Sequence, residues 1–159
     1  MSHETYSDAH LRGIFKKVRT VAMVGASPNW NRPSHFVMKY LQLKGFRVVP
    51  VNPRAAGEIV LGETVHGSLD AVPEAVDMVD VFRSSSEALG ITEQAIAKGA
   101  KVVWMQIGIS NDEAADKAEK AGLDVVMNRC PKIEYSRLNG ELSWGGFNSG
   151  IISSKRKRI

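Results

Sequence analysis

Short apolar segments alternate with longer amphipathic segments along most of this chain. In the amphipathic segments apolar residues recur at helical spacing; Leu11, Ile14 and Val18, for example, predict a helix at about residues 7–18. The apolar segments are TVAMV at 20–24, MVDVF at 78–82, VVWMQI at 102–107 and VVMN at 125–128. Their short length and β-branched content are typical of strands that are buried on both faces.

This alternation predicts a fold class. Strands separated by helices of about 10–15 residues form right-handed crossovers and a parallel sheet that is covered by helices on both faces. We therefore expect an α/β, three-layer, doubly wound, Rossmann-like fold in a single domain. The segment at 57–77 fits this pattern least well; we expect a weak edge strand or loop at EIVLG and a short helix at 72–76.

A glycine-containing pattern marks where three of the helices end. KGFRVV (44–49), KGAKVV (98–103) and AGLDVV (121–126) each place a glycine before a pair of valines. A glycine at the end of a helix adopts the left-handed conformation that other residues avoid, and the valines favour a strand. Two helix starts are also predicted, because SSSE (84–87) and SNDE (110–113) have the composition of capping boxes.

The length and charge of the chain indicate one domain with a basic terminal segment. Four of the 21 basic residues form the cluster KRKR at 155–158, and without them the chain of 159 residues has 17 basic and 17 acidic residues. We expect a domain at 1–138 and an extension at 139–159, and we do not expect nucleic acid as a partner, because positive charge is not spread over the body of the chain.

Hydropathy and cysteine content indicate the compartment. No apolar run approaches the roughly 20 residues of a membrane helix, so no membrane partner is expected. The N-terminal residues lack the pattern of a secretory signal, and the single cysteine, Cys130, excludes an internal disulfide. These features predict a cytoplasmic protein.

Polar residues follow the predicted strands directly. Because the carboxyl ends of parallel strands meet at one edge of a sheet, we expect the segments after the strands to lie close together: 25–27, 52–54, 82–84, 106–108 and 128–131. In or beside these segments stand Arg32, Arg54, Arg83 and Arg129, with no acidic residue among the strand-end positions. Helix N-termini at the same edge also favour negative charge. The sequence therefore predicts an anionic ligand.

The loop at 25–34 differs from a dinucleotide-binding loop. The fingerprint G-x-G-x-x-G is reduced here to GASPNW, and Asn52 and Arg54 follow the second strand where an acid for the ribose is expected. NAD is therefore disfavoured. Arg54 suits a ribose phosphate instead, as in NADP or in the 3′-phosphate of coenzyme A, and the long loop between Pro28 and Pro33 suits an extended pyrophosphate ligand.

Four segments in this order closely resemble the small, free-standing CoA-binding domain proteins: VGASPNWNRPSHFVMKYLQLKGFRVVPVNP, VDVFRSSSE, WMQIGI and NRCPKIEY. Those proteins are similar to the N-terminal domain of the alpha subunit of succinyl-CoA synthetase. The resemblance spans about residues 15–138 and implies a Rossmann-type fold with coenzyme A or an acyl-CoA as ligand. The synthetase needs a phosphorylated histidine on a separate downstream domain, so we do not expect ligase activity to carry over.

The resemblance also implies roles for residues at the sheet edge. Gly25, Ala26 and Ser27 would hold phosphates through backbone N–H and hydroxyl groups, and Arg32, Pro33 and Ser34 would complete that phosphate site. Asn52, Pro53 and Arg54 would border the adenosine. Phe82, Arg83, Gln106, Ile107 and Gly108 would lie further along the ligand.

No catalytic constellation is evident from the residue pattern. We interpret Cys130 as a buried or pocket-lining residue, with a mixed disulfide to a ligand thiol as the lesser alternative. No Cys or His residues stand at metal-ligand spacing. We therefore expect a protein that binds CoA or an acyl-CoA without catalysis of its own. An NADP-dependent or other small nucleotide-using enzyme, an interaction module with a protein partner, and a homo-oligomer stay open.

Overall fold

A five-stranded parallel sheet is the centre of the computed structural model, which describes residues 2–141. The strands are β1 Thr20–Val24, β2 Arg47–Val51, β3 Ile59–Val60, β4 Glu63–Thr64, β5 Met78–Val81, β6 Val102–Met105 and β7 Asp124–Val126. The helices are α1 Asp8–Lys17, α2 Pro33–Leu43, α3 Ala88–Lys98, α4 Asp112–Lys120 and α5 Pro131–Leu138. The sheet order is β2-β1-β5-β6-β7, and β3 and β4 form a separate antiparallel pair. The predicted α/β, Rossmann-like class is confirmed.

Helices cover both faces of the sheet. Successive residues of a strand point to opposite faces, so Val21 and Met23 of β1 pack in one apolar cluster while Ala22 and Val24 pack in the other. The first cluster contains the buried residues of α1 and α2, and the second contains those of α3 and α4. Because both faces are buried, the strands consist of nearly continuous apolar residues.

The sheet order changes direction beside β1. The chain passes from β1 through α2 to β2 on one side, and later from β5 through α3 to β6 on the other side. The loops that follow β1 and β5 therefore leave the carboxyl edge in opposite directions, which opens a crevice between them. In doubly wound sheets this switch point is where ligands bind.

Helix boundaries match the sequence patterns in most places. Ser7 is the N-cap of α1 and its hydroxyl accepts the N–H of His10 at 3.1 Å, so the helix predicted at 7–18 is confirmed. The glycines predicted to end helices, Gly45, Gly99 and Gly122, all have positive φ. Within residues 2–141, no helix is long and apolar enough to cross a membrane.

Three local predictions were wrong or need adjustment. Residues 72–76 form no helix; the N–H groups of Ala71 and Val72 donate to the carbonyls of Ser68 and Leu69, and these turns at 68–72 take its place. The cap of α4 is Asn111, whose Oδ1 accepts the N–H of Ala114 at 2.9 Å, and not Ser110. The helix α3 starts at Ala88, after a 3₁₀ turn at Ser85–Glu87.

The serine-rich segment before α3 does not form the predicted capping box. The Ser84 hydroxyl donates to the carboxylate of Glu87 at 2.9 Å instead of capping a backbone amide. The predicted extension at 139–159 lies, apart from residues 139–141, outside the described residues, and so does the KRKR cluster.

Candidate functional site

The first loop of the site begins where β1 nearly touches the segment after β5. Gly25 has φ +96°, and a Cβ atom there would lie 2.9 Å from the carbonyl oxygen of Phe82 and 2.9 Å from Cδ of Arg83. Its own N–H donates to the carbonyl of Val51 at 2.8 Å. Glycine is thus required both by its conformation and by the close approach of a neighbouring backbone. This contact fixes the floor of the crevice at the switch point.

Hydrogen bonds within the loop at 25–34 hold it in one shape. The Ser34 hydroxyl, which is buried, accepts the N–H of Ser27 at 2.9 Å, and the Ser27 hydroxyl accepts the N–H of Asn29 at 3.1 Å. The N–H of Arg32 donates to the carbonyl of Asn29 at 3.1 Å. Within residues 2–141 neither hydroxyl donates its own proton, so both protons are available to a ligand. The loop is therefore ordered by its own residues before any ligand arrives.

These bonds also show which amides are free. The N–H groups of Gly25 and Ser27 are already used, whereas the N–H of Ala26 has no partner within residues 2–141. The N–H of Ser34 lies in the first turn of α2, where no intrahelical acceptor exists. Of the three amides that the sequence predicted to hold phosphates, only that of Ala26 is available.

Asn52 ties the loop after β2 to the loop after β1. Its Nδ2 donates to the carbonyl of Ala26 at 2.8 Å, and its Oδ1 accepts the N–H of Arg54 at 3.0 Å, which caps the 3₁₀ turn at Pro53–Ala55. Both polar atoms of the side chain are therefore used within the protein. Asn52 positions the turn that carries Arg54.

Two arginines beside these loops have no partner. The guanidinium groups of Arg32 and Arg54 are exposed and form no hydrogen bond or ion pair within the described part of the chain. Arg32 is the N-cap residue of α2, whose first turn contains no acidic residue and has Pro33 at its start. The partial positive charge of a helix N-terminus and two unpaired guanidinium groups all favour an anion here.

The other two arginines are engaged. Arg83 donates from Nε and Nη2 to Oε1 of Glu87, at 3.1 and 2.9 Å, and this guanidinium lowers the pKa of the Glu87 carboxyl. Arg129 donates to the carbonyls of Asn128 and Glu4, at 2.9 and 2.8 Å. Of the four arginines predicted to meet at this edge, two therefore have no partner within the described residues. Glu87 neutralises the charge of Arg83, and backbone carbonyls hold Arg129 in place.

The remaining predicted residues lie after β5 and β6. Phe82 is half-buried, and its N–H donates to the carbonyl of Val24 at 2.8 Å. Gly108, with φ +86°, donates its N–H to Oδ1 of Asn128 at 2.7 Å, and Ile107 beside it is 58% exposed. Gln106 is 7% exposed, and its Oε1 has no hydrogen-bond partner in the part of the chain that the structure describes.

A buried polar cluster underlies this part of the edge. Asp80, in the interior of β5, is fully buried between Met23 and Trp104 of the neighbouring strands, and among the described residues neither of its carboxyl oxygens has a partner. Burial raises the pKa of Asp80 well above its ordinary value. Burial likewise raises the pKa of the Cys130 thiol, which opposes a nucleophilic role and agrees with its predicted burial.

Sequence reasoning missed three features of the site. The pairing of Glu87 with Arg83 could have been found from their i, i+4 spacing. The carboxyl of Asp80 could have been noticed as an acid within an apolar strand. The Tyr6 hydroxyl accepts the N–H of Met127 at 2.8 Å. This hydrogen bond joins residues that are 121 positions apart in the chain, and nothing in the sequence pattern indicates it.

Most of this chain matches a known protein family. Residues 19–136 match the model of a family described as the CoA binding domain. The chain is 33% identical over 130 residues, which is 82% of this chain and 95% of the relative, to the uncharacterized protein YneT of Bacillus subtilis (strain 168).

Solved structures are similar as well. A hypothetical protein from Pyrococcus horikoshii OT3 has a TM-score of 0.81 at 41% identity, covering 88% of this chain and all of that one. A Thermus thermophilus protein has a TM-score of 0.79 at 38% identity, covering 84% and 99%. A dinucleotide-forming acetyl-coenzyme A synthetase of Ca. Korarchaeum cryptofilum has a TM-score of 0.55 at 24% identity, covering 67% of this chain and 25% of that one; this last likeness concerns the fold alone.

Proposed function

The chain belongs to the CoA binding domain family, and from this premise we propose that it binds coenzyme A or an acyl-CoA at the carboxyl edge of the sheet, without catalysis of its own. The observation that carries the proposal is the pair of unpartnered arginines, Arg32 and Arg54, beside a loop that is ordered before binding. Coenzyme A has phosphates at two places, a pyrophosphate and a ribose 3′-phosphate, and two separate cations suit them.

The pyrophosphate is assigned to the loop after β1. Its donors are the free N–H of Ala26, the hydroxyl protons of Ser27 and Ser34, the N-terminus of α2 and the guanidinium of Arg32. Because the loop is held by its own hydrogen bonds, little conformational entropy is lost when the ligand binds. Gly25 lets the loops after β1 and β5 come into direct contact, since a side chain there would meet the Phe82 carbonyl and Cδ of Arg83.

The 3′-phosphate is assigned to Arg54. The residue stands in the turn after β2, where a dinucleotide-binding protein has an acid for the ribose hydroxyls. An arginine in that position favours a phosphorylated ribose over a free one. Asn52 ties this turn to the phosphate loop through its bond to Ala26, so the backbone segments that carry Arg54 and the phosphate loop are joined directly.

Calorimetric titration of the full chain tests the proposal. We expect CoA to bind more tightly than dephospho-CoA and NAD. Arg54→Ala should weaken CoA binding by about 10- to 100-fold, the range for a lost charge-assisted contact, and should abolish the difference between CoA and dephospho-CoA. The matched control is Arg19→Ala, which removes an exposed guanidinium before β1, at the opposite edge of the sheet, and should leave the affinity unchanged.

Two results would overturn the assignment. Equal affinity of the wild type for CoA and dephospho-CoA would show that Arg54 does not contact the 3′-phosphate. Tighter binding of NADP than of CoA would favour the alternative of a nucleotide-using enzyme.

A further inference from the structure

Trp30 is the most exposed large apolar residue in the part of the chain that the structure describes. Its exposure is 73%, whereas Trp104 is fully buried and donates its Nε1–H to the carbonyl of Arg129 at 2.9 Å. Within residues 2–141 the Trp30 ring contacts no other aromatic ring and no cation. Tryptophan is highly buried in most proteins, and an exposed one is typical of a surface that contacts another molecule.

The backbone that carries Trp30 is held in one shape. The residue lies in a turn that is closed by the N–H of Arg32, which donates to the carbonyl of Asn29 at 3.1 Å. The N–H of Asn29 donates to the Ser27 hydroxyl at 3.1 Å, and the N–H of Ser27 donates to the Ser34 hydroxyl at 2.9 Å. Because the turn is fixed on both sides and an indole has only two side-chain dihedrals, little conformational entropy is lost when the ring contacts a ligand.

This turn adjoins both proposed phosphate sites. Trp30 is two residues before Arg32, so their Cα atoms lie within about 7 Å of each other. The bond from Asn52 Nδ2 to the carbonyl of Ala26, at 2.8 Å, joins the same loop to the turn that carries Arg54. In CoA one ribose carries the adenine base and connects the pyrophosphate to the 3′-phosphate. A ligand that is held by both arginines therefore has its base beside these two joined loops.

The chemistry of an exposed indole suits this base better than the other parts of CoA. Adenine is flat and has an apolar π face, which stacks on an aromatic ring whatever hydrogen bonds its edge makes. Phosphates gain from cations and N–H groups and not from an aromatic face, and the pantetheine arm is flexible and has no ring. A guanidinium for the phosphate beside an aromatic ring for the base is the combination with which proteins bind nucleotides through stacking.

From this placement we propose that Trp30 stacks on the adenine base of the bound ligand. The inference rests on the proposed function, because it requires the phosphates to lie at Arg32 and Arg54. It adds a contact that recognises the nucleotide half of CoA, and it assigns no reaction to the residue.

Calorimetric titration of the full chain with CoA gives the first test. Trp30→Ala should weaken binding by about 10-fold or more, the range for a lost stacking contact with a base. Trp30→Phe keeps an aromatic ring and should stay within about threefold of the wild type, whereas Trp30→Leu is apolar without a ring and should behave as Trp30→Ala. The matched control is Leu43→Ala. Leu43 is 66% exposed at the other end of α2, about 15 Å from the start of the helix, and its loss should leave the affinity unchanged.

A fragment of the ligand gives the second test. Adenosine 3′,5′-bisphosphate contains the base, the ribose and one phosphate at each of the two places. We expect Trp30→Ala to weaken its binding by about the same factor as that of CoA. Saturating bisphosphate should quench the tryptophan fluorescence of the wild type, and this quenching should be absent in Trp30→Phe, in which Trp104 stays buried.

The outcomes separate this inference from the function on which it rests. If the wild type does not bind CoA, the proposed function fails and the stacking contact fails with it. If CoA binds, the stacking contact alone is overturned by an unchanged affinity in Trp30→Ala, by a Trp30→Leu variant that binds as tightly as Trp30→Phe, or by a bisphosphate that does not quench. Fluorescence that changes with protein concentration and not with nucleotide would also overturn it, since a second copy of the chain would then cover the ring. Unchanged urea unfolding shows that each variant is folded.

Discussion

The two halves of the carboxyl edge differ in how their charges are used. On the β1–β2 half, the guanidinium groups of Arg32 and Arg54 have no partner among residues 2–141, and the loop after β1 is ordered by its own hydrogen bonds. On the β5–β7 half, Arg83 pairs with Glu87 and Arg129 is held by backbone carbonyls and the ring of Tyr6. The arginines of the first half are therefore available to an anion, whereas those of the second half already have partners within the chain.

This difference shows that counting the arginines at the carboxyl edge of the sheet overestimates the positive charge that is available to an anion. A guanidinium that is paired with a carboxylate contributes little net charge, and the pair must be broken before a phosphate can use it. The β5–β7 half also covers a buried acid, Asp80, whose carboxyl has no partner within residues 2–141. Because the guanidinium of Arg83 is paired with Glu87 and that of Arg129 is held by backbone carbonyls, we expect this half to contact the uncharged arm of a ligand and not its phosphates.

The largest expected effect comes from the contact that joins the two halves. Gly25→Ala places a Cβ atom 2.9 Å from the Phe82 carbonyl oxygen at a residue with φ +96°, so we expect a loss of roughly 2–4 kcal/mol in the free energy of unfolding and no detectable CoA binding. Urea denaturation and calorimetry measure the two effects.

Gly13→Ala is the matched control for this substitution. Gly13 lies within α1, and no atom stands within 4 Å of the position that its Cβ would take. A helical glycine replaced by alanine should stabilise the protein by about 0.5–1 kcal/mol. Equal effects of the two substitutions would contradict a special role for Gly25.

The next largest effect distinguishes an unpaired arginine from a paired one. Arg32→Ala should weaken CoA binding by about 10-fold or more, because it removes an unpaired guanidinium beside the phosphate loop. Arg83→Ala should weaken it by less than about threefold, because Glu87 already offsets that charge. Calorimetry on both variants measures the contrast; if Arg83→Ala has the larger effect, the two halves have been assigned in the wrong order.

A smaller effect concerns stability and pH. The pKa of Asp80 is raised by burial, so its contribution to stability is fully present below the unfolded-state pKa of about 4 and is lost as the pH rises toward the folded-state pKa. Asp80→Asn has no such titration. We therefore expect the variant to gain stability on the wild type as the pH rises from 4.5 to 8, and a constant difference over this range would contradict the raised pKa.

Urea unfolding of both proteins across this pH range makes the measurement. Asp77→Asn is an informative counterpart at the other end of the same strand. Burial acts to raise the pKa of Asp77 too, but hydrogen bonds from the N–H groups of Thr20 and Arg19 outweigh it and lower that pKa. Asp77→Asn should therefore lose stability relative to the wild type as the pH rises through the folded-state pKa of Asp77 to about 4, and this loss should stay constant at higher pH, opposite in sign to Asp80→Asn. Its measurement extends the pH range below 4.5.

The smallest effect comes from releasing Arg83. Glu87→Gln removes the carboxylate that pairs with this guanidinium, so we expect CoA to bind about two- to threefold more tightly at low salt, with the gain lost at high salt. Titrations at two ionic strengths measure this change. A salt-independent gain would point to a change in the shape of the loop and not to charge.

Most of the fold was predictable because it depends on local patterns. Apolar runs such as 102–107 and the glycines that end helices act within a few residues of chain, so periodicity and composition reveal them. The short helix expected at 72–76 was wrong because the N–H groups of Ala71 and Val72 close turns at 68–72 instead, and the cap of α4 was misplaced by one residue. Both errors concern single hydrogen bonds, which a pattern of apolar residues does not specify.

The amino-acid sequence by itself determined the doubly wound sheet, the edge at which its loops meet and the residues that stand there, since each follows from the order and periodicity of the segments. Only the tertiary structure decided which of those residues are free. Whether Arg54 is available while Arg129 is held, and whether the N–H of Ala26 is free while that of Ser27 is not, depends on partners brought close by folding. Hydrogen bonds act over about 3 Å in space, and separation along the chain does not limit them.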